Sequence, residues 1–253
     1  MSLSKWDRRI QRADELAEEH PYAADGLRFY RCVAGFQKGL DWYLKESGVT
    51  DLGVLAPKFP EFLSQVAAIA PEPIAQSARE WTAQPSDQIY GMLTLHWRTP
   101  AAVTDPEGLL ARLFMQPYAE HLAEGAESNP DHANPATCPF CSDRPAVSVL
   151  RPEGDGAKRS LICAMCSMEW SCGRIVCPAC GEEAADKLAV YTADQFPHVR
   201  IDACDSCGHY IKTIDLSRNG RAIPVVDDLA SIPLDLWALE HSYSKLQINL
   251  LGI

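Results

Sequence analysis

Apolar residues in the first half of the chain recur at the spacing of an α-helix. One helical face is formed by Phe29, Val33, Phe36, Leu40 and Tyr43. A similar face follows Pro60, and another begins near Ser86. Thr104-Asp105-Pro106 predicts the start of a further helix, because aspartate caps helices and proline fits the first turn. Residues 1–125 are therefore predicted to form an all-α domain of about five or six packed helices.

The pattern changes after a polar segment, residues 126–136, whose prolines and asparagines are typical of a linker. Short runs of aliphatic and β-branched residues then predict strands, at positions 146–150, 160–162, 188–191 and 209–214. A final helix is predicted from Asp227-Asp228 to Tyr243, with Pro233 in its first turn or at a kink. These patterns together predict an α+β fold.

The cysteines are concentrated in the second half of the chain. Eight of the ten form four C-x-x-C pairs: Cys138/Cys141, Cys163/Cys166, Cys177/Cys180 and Cys204/Cys207. A two-residue gap lets both sulfurs of a tight turn point at one ion, and two such turns supply four thiolates at tetrahedral positions. This ligand set suits zinc or iron.

The spacing between the pairs indicates which of them share an ion. Twenty-one residues separate Cys141 from Cys163, and 23 separate Cys180 from Cys204. Each gap is close to ribbon-type spacing and can hold a hairpin. We therefore expect the first pair to join the second, and the third to join the fourth. An interleaved pairing is the alternative.

Two metal sites follow from this pairing: Cys138, Cys141, Cys163 and Cys166 in site 1, and Cys177, Cys180, Cys204 and Cys207 in site 2. Structural metal is the leading interpretation, with rubredoxin-type electron transfer and thiol–disulfide chemistry as alternatives. Cys172 is expected to be a bystander, because the eight paired cysteines complete both sites. Cys32, next to the apolar Val33, is expected to be a small core residue.

Charge narrows the classes of partner. The formal net charge is −11 and the isoelectric point is about 5.1, and an acidic surface repels nucleic acid and anionic membranes. No apolar run is long enough to span a bilayer, and the first residues lack the apolar segment of a secretory signal. In the reducing cytoplasm, where we expect this protein, cysteine pairs more often bind metal than form disulfides. No catalytic motif is evident, so an enzyme is not expected.

The cysteine-rich half resembles the formate dehydrogenase accessory proteins, also called formation proteins. The resemblance is carried by CPFCSDRPAVSVL at 138–150, LICAMCSMEWSCGRIVCPAC at 161–180, ACDSCGHYIKTI at 203–214 and VVDDLASIPLDLWALEHSYSKLQINLL at 225–251. Glu169, Trp170 and Arg174 stand at positions of the family pattern, as do Asp227 and Asp228. These residues are the candidates for partner binding.

The resemblance implies a helical region followed by two tandem rubredoxin-like (zinc-ribbon-like) modules. The expected divisions are a helical domain at 1–125, a linker at 126–136, modules at 137–171 and 172–220, and a C-terminal helix within 221–253 that packs back. Two departures from the family stand out: Ser171-Cys172 follows Glu169-Trp170 where the family usually has a histidine, and the family ending N-P-F is N-L-L here.

The resemblance also implies a role in producing active formate dehydrogenase. The expected partner is the catalytic subunit of a molybdenum- or tungsten-dependent formate dehydrogenase, bound before export and with its twin-arginine leader as a candidate contact. A second copy of the chain, forming a homodimer, is a further candidate partner. A redox protein that acts through rubredoxin-type iron is the alternative function.

Overall fold

The computed structural model describes residues 3–99, 105–126, 136–250 and 252. The first two of these ranges contain seven α-helices: α1 (Lys5–Glu19), α2 (Ala24–Ser47), α3 (Leu52–Leu55), α4 (Phe59–Ala67), α5 (Ile74–Thr82), α6 (Ser86–Arg98) and α7 (Pro106–Glu124). The predicted start of α6 is confirmed. Helix α7 begins as predicted, with the Asp105 carboxylate accepting a hydrogen bond from the Gly108 amide at 2.7 Å and Pro106 in the first turn.

Helix α1 was not predicted, although the sequence carries a signal for it. The Ser4 hydroxyl accepts a hydrogen bond from the Asp7 amide, and the Asp7 carboxylate accepts one from the Ser4 amide, at 3.1 and 3.3 Å. This reciprocal arrangement is a capping box, with aspartate where glutamate is usual. Helix α1 packs along α2, so the missed element is a main part of the helical layer.

The predicted apolar face of α2 is largely buried. Phe29, Val33 and Leu40 are buried, and Phe36 packs against Phe62 with ring centroids 5.0 Å apart. The prediction for Cys32 is wrong, because this residue is exposed. Successive residues on a helix differ in direction by about 100°. Ala34, on one side of Val33, is buried, so Cys32 on the other side points away from the core.

Residues 136–250 contain seven strands: β1 (Pro145–Glu153), β2 (Gly156–Cys163), β3 (Glu169–Ser171), β4 (Leu188–Thr192), β5 (Val199–Cys204), β6 (His209–Asp215) and β7 (Ser244–Lys245). The four predicted strands are β1, β2, β4 and β6. Strands β3, β5 and β7 were missed. The α+β fold with a helical N-terminal region is confirmed.

All seven strands belong to one sheet. Its order is β3-β2-β1-β6-β5-β4, and β7 also pairs with β6. Antiparallel pairs hold β1–β2–β3 together and likewise β4–β5–β6, whereas β1 and β6 run parallel, with Ser148 opposite Thr213. The two cysteine-bearing halves are therefore joined edge to edge. The predicted domain divisions stay a prediction, and most of the linker, residues 127–135, lies outside the described residues.

The predicted final helix is divided into α8 (Pro224–Ala230) and α9 (Ile232–Glu240). Pro233 lies in the first turn of α9 and has no N–H with which to continue a helix from α8. The Ser231 hydroxyl donates to the Asp227 carbonyl at 2.8 Å and satisfies one acceptor at the end of α8. Helix α8 packs against α1, α2, β1 and β6, so it lies between the helical layer and the sheet.

No helix in the described part of the chain combines the length and apolar character needed to cross a membrane. The largest core instead joins helices and sheet. It contains Phe59 and Phe114 from the helical region together with Leu161, Cys163 and Ile211 from the sheet region. The first cysteine cluster is thus packed into the same apolar interior as the helices.

Candidate metal centres

Site 1 is formed by two turns that face each other at one end of the β1–β2 hairpin. The Sγ atoms of Cys141 and Cys163 lie 3.3 Å apart, those of Cys138 and Cys166 lie 3.5 Å apart, and all four sulfurs lie within 4.8 Å of one another. The Phe140 amide donates to Cys138 Sγ at 3.4 Å. Such amide contacts are what a C-x-x-C turn provides for a thiolate.

Site 2 repeats this arrangement beside strands β4–β6. The Cys177 and Cys207 Sγ atoms lie 3.8 Å apart, and those of Cys180 and Cys204 lie 3.7 Å apart. All four sulfurs again lie within 4.8 Å of one another. Both groups therefore follow the pairing in sequence order rather than the interleaved one.

The four turns share a backbone feature just after their second cysteine. Gly181 and Gly208 have φ of 77° and 70°, and Ser142 and Ser167 at the equivalent places of site 1 have φ of 62° and 56°. Positive φ costs glycine little, whereas serine pays a steric penalty there. The repeated conformation indicates that all four turns are built to the same geometry.

The sulfur separations fit a tetrahedral ion. With Zn–S distances of about 2.3 Å, the edge of a tetrahedron of sulfurs is about 3.8 Å. The separations of 3.7 and 3.8 Å in site 2 match this value, and those in site 1 are slightly shorter. Four thiolates suit zinc and iron alike, so the geometry supports two metal-binding sites without identifying the metal.

The electrostatics of site 1 also favour a cation. Hydrogen bonds from Cys141 and the other sulfurs hold the pKa of Cys138 well below its usual range, whereas burial raises the pKa of Cys163 well above its usual range. Thiols so close together cannot all ionise unless positive charge joins them. A divalent ion supplies that charge and allows all four sulfurs to be thiolates.

The two sites differ in their access to solvent. In site 1, Cys138, Cys163 and Cys166 are buried and Cys141 is half-buried. In site 2, Cys180 is exposed. An ion in site 2 would therefore lie near the surface, while one in site 1 would be enclosed by the main core.

Cys172 lies outside both groups. It is half-buried, its Sγ is 3.9 Å from Arg159 Nη1, and burial raises its pKa. A raised pKa disfavours the reactive thiolate. This environment supports the prediction that Cys172 is a bystander.

The motif residues near the cysteines have different surroundings. Glu169, at the start of β3, forms a two-pronged ion pair with Arg151, with distances of 2.8 and 2.9 Å. Trp170 is buried in the main core. Arg174 is exposed in the turn before Cys177. Their roles in partner binding remain predictions, and Arg174 is the one most accessible to a partner.

Asp227 lies in the interior. Its carboxylate pairs with the Arg12 guanidinium, at 2.6 and 3.0 Å, and lies 2.9 Å from His198 Nε2. It also accepts a hydrogen bond from the Ile223 amide at 2.8 Å. Burial works against ionisation, but the hydrogen bonds from His198 and Arg12 outweigh it and lower the pKa of Asp227.

Asp228 belongs to a second buried ionic group. Lys212 Nζ lies 3.0 Å from the Asp228 carboxylate and 2.6 Å from that of Asp235, and Lys245 Nζ lies 2.8 Å from Asp228. Burial opposes ionisation, but the two lysines lower the pKa of Asp228. Contact of Asp227 or Asp228 with a partner stays a prediction, and the structure gives both an internal role.

The basic members of these groups were not predicted from the sequence. Lys212 is the clearest omission, because it interrupts the apolar run of β6 and is fully buried. A lysine at such a position requires a buried acidic partner. For Arg12 and His198 no comparable sequence signal exists, since their partner Asp227 is remote in the chain.

Comparison with known proteins agrees with this architecture. Residues 137–174 match the model of the FdhE central domain, and residues 175–251 match that of the FdhE C-terminal domain. Residues 137–251 are therefore similar to the FdhE family in both of these domains. The resemblance inferred from the sequence motifs is thereby confirmed, and the FdhE domains contain all eight paired cysteines.

Individual FdhE proteins are similar over part of their length. A FdhE homolog of Aquifex aeolicus is 33% identical over 141 residues, which are 55% of this chain and 50% of the relative. One of Haemophilus influenzae (strain PittEE) is 29% identical over 75% of this chain and 58% of the relative. The chain thus spans about half the length of these curated relatives.

The crystal structure of the FdhE protein from Pseudomonas aeruginosa has a similar fold. Its TM-score is 0.70 at 22% identity, and the match covers 97% of this chain and 95% of that one. The likeness extends to the helical region as well as the sheet, so the two proteins share one fold.

Proposed function

We propose that this protein is a non-catalytic maturation factor for a molybdenum- or tungsten-dependent formate dehydrogenase. It binds the catalytic subunit and is needed for that subunit's activity. The observation that carries the proposal is the match of residues 137–251 to the FdhE central and C-terminal domains. The resemblance of the cysteine motifs to formate dehydrogenase formation proteins supplies the link to the enzyme.

The metal sites support a binding role. Each site offers four cysteine sulfurs and so completes a tetrahedral ion without a position for water or substrate, as structural sites do. Zinc or iron in both sites would fix the turns and strands around them. The protein then presents a rigid surface to the dehydrogenase subunit.

The proposal places binding in the cytoplasm, before the subunit is exported. The twin-arginine leader of that subunit is the proposed additional contact. The net charge of −11 supports attraction to a basic segment, because opposite charge accelerates encounter.

An affinity pull-down tests the main proposal. The tagged protein is purified from its own host under conditions in which formate dehydrogenase is expressed, and the bound proteins are identified by mass spectrometry. We expect the catalytic subunit as the dominant specific partner. Cys204→Ser should lose it, whereas Cys32→Ser should retain it, because Cys32 is an exposed thiol outside both clusters. Absence of the subunit from cells shown to contain it would contradict the proposal.

A second candidate function is electron transfer to the dehydrogenase through rubredoxin-type iron. The observation that favours it is the exposure of Cys180, which brings site 2 to the surface. Anaerobic purification from native cells, followed by absorption spectroscopy and potentiometry, separates the two functions. A visible charge-transfer band with a reversible potential supports the redox function, and a colourless zinc protein counts against it.

A further inference from the structure

Strand β4 forms one end of the sheet. Its inner side pairs with β5, and no strand lies beyond it among the residues that the structure describes. Val190, at the centre of β4, is 54% exposed. The outer backbone N–H and C=O groups of such an edge can pair with another chain.

The register of β4 with β5 divides its side chains between the two faces of the sheet. Leu188 and Val190 lie opposite Cys204 and Asp202 and share one face. Tyr191 lies opposite Ile201 on the other face and packs against Trp237 of α9, with ring centroids 4.5 Å apart. Side chains of an added strand would therefore meet a different surface on each face of the sheet.

A cavity opens beside β4 on each of these faces. The first has a volume of about 210 Å³, and its apolar lining residues are Ile175, Val176, Leu188 and Val190. It is also lined by charged side chains: Arg159, Arg174, Arg200 and Asp202. The second has a volume of about 440 Å³ and is lined by Tyr191, Phe196, Ile201, Leu234 and Trp237. Neighbouring side chains on an extended strand point in opposite directions, so one added strand can place a side chain in each cavity.

We propose that β4 binds an extended segment of the dehydrogenase catalytic subunit as an additional strand of the sheet. The segment has apolar side chains at two consecutive positions, one for each cavity. Main-chain hydrogen bonds supply affinity and the cavities supply selectivity. The identity of the partner rests on the proposed function, whereas the binding edge rests on the structure of β4 and its cavities.

Charge argues for a different chain rather than a second copy of this one. Asp186 and Asp194 are exposed just before and just after β4. In an antiparallel pair of two β4 strands centred on Val190, Asp186 before one strand would lie near Asp194 after the other, at both ends of the pair. Like charges brought together across an interface disfavour it. A segment with lysine or arginine on either side of its apolar pair would instead be attracted to Asp186 and Asp194.

The test uses overlapping peptides that tile the catalytic subunit, with binding to the full-length protein measured by fluorescence anisotropy. We expect a peptide with an apolar pair and flanking basic residues to bind, and hydrogen exchange to slow at Leu188–Thr192. Val190→Lys should weaken binding roughly ten-fold or more, because it puts charge in an apolar contact. Val54→Lys is the matched control, since Val54 is 50% exposed on α3.

Further measurements distinguish the possible outcomes. Ile175→Lys, in the first cavity, should weaken the same peptide, and circular dichroism checks that each variant is folded. If the whole subunit binds but neither the exchange of β4 nor the Val190→Lys variant responds, the edge proposal fails and the proposed function stands. If the subunit does not bind at all, both fail. A dimer in size-exclusion chromatography that Val190→Lys dissociates would assign the edge to a second copy and overturn the proposal.

Discussion

Asp227 connects three parts of the chain through a single carboxylate. It pairs with Arg12 on α1, with His198 just before β5, and with the Ile223 amide at the start of α8. Arg12 and Asp227 are 5% and 1% exposed, so neither charge can recover water if the other is removed. Breaking such a pair is costly even where the intact pair adds little net stability.

Asp227→Asn is therefore expected to lower the free energy of unfolding by about 3 kcal/mol, the low end for breaking a buried pair, because Arg12 keeps a weaker ion pair with Glu15 at 3.4 Å. Urea unfolding followed by circular dichroism measures the change. Asp25→Asn is the control, because Asp25 pairs with Arg28 on the surface, where ion pairs contribute little. Its unfolding midpoint should stay that of the parent protein. Equal midpoints for both variants would show that the buried pair does not stabilise the fold.

The same carboxylate predicts a direction for the pH dependence of stability. The folded-state pKa of Asp227 lies below its ordinary value of 3.8, so the unfolded chain takes up the proton first as the pH falls. Its contribution is complete well above pH 3.8 and is lost as the pH falls through the lower folded value. Stability curves measured on acidification should therefore fall less steeply for Asp227→Asn. Parallel curves would rule out the predicted contribution of this carboxylate.

At the scale of elements, the two cysteine clusters have the same construction but different surroundings. Each consists of two C-x-x-C turns that end in a residue with positive φ. Cys163, in site 1, ends β2 and is fully buried, whereas Cys180, in site 2, stands in an exposed turn. A competing ligand can therefore reach site 2 more easily than site 1, although the donor atoms of the two sites are identical.

A chelator is expected to remove metal from site 2 before site 1, because an exposed thiolate can be displaced without opening the core. Metal release into a colorimetric chelator should show two phases, each about one ion per chain, as four sulfurs complete one tetrahedral ion. Cys180→Ser should abolish the fast phase, and Cys141→Ser should abolish the slow one. A single phase that both variants affect equally would mean that the sites are not independent.

At the scale of the whole molecule, three cysteines of site 1 belong to the helical core, whereas site 2 contacts that core only through Ala179 of its first turn among the residues that the structure describes. Cys138, Cys163 and Cys166 belong to the same apolar cluster as Trp6, Phe59 and Phe114. The interior under β4–β6, around Ile201 and Tyr210, forms a separate cluster with α9. Loss of the metal from site 1 should therefore disturb the helical core, whereas loss from site 2 should disturb β4–β6 and α9.

Cys163→Ser is expected to destabilise the helices as well as the sheet, whereas Cys204→Ser is expected to act on β4–β6 and α9. Hydrogen exchange by mass spectrometry distinguishes these outcomes. Faster exchange in α2 and α7 should appear for Cys163→Ser alone. The same pattern of exchange in the two variants would contradict this division.

The sequence also shows why some elements could be predicted and others could not. Strands β1 and β6 are apolar runs, and β5 alternates Val199, Ile201 and Ala203 with polar residues, a strand signal that the sequence analysis overlooked. Strands β3 and β7 are only three and two residues long. Segments so short have no pattern of their own and become strands because a neighbour pairs with them.

The sequence by itself determined the eight clustered cysteines and favoured their grouping in chain order, because C-x-x-C geometry and the intervening hairpins are local properties of the chain. The structure decided against the interleaved grouping. Hydrophobic periodicity also determined the secondary-structure class of each half, helical in the first and strand-containing in the second. Tertiary structure alone decided that β1 and β6 join both clusters in one sheet, that Asp227 meets Arg12, and that site 1 is enclosed while site 2 reaches the surface. These outcomes depend on contacts between residues far apart in the chain, and no local pattern encodes which distant partner will be met.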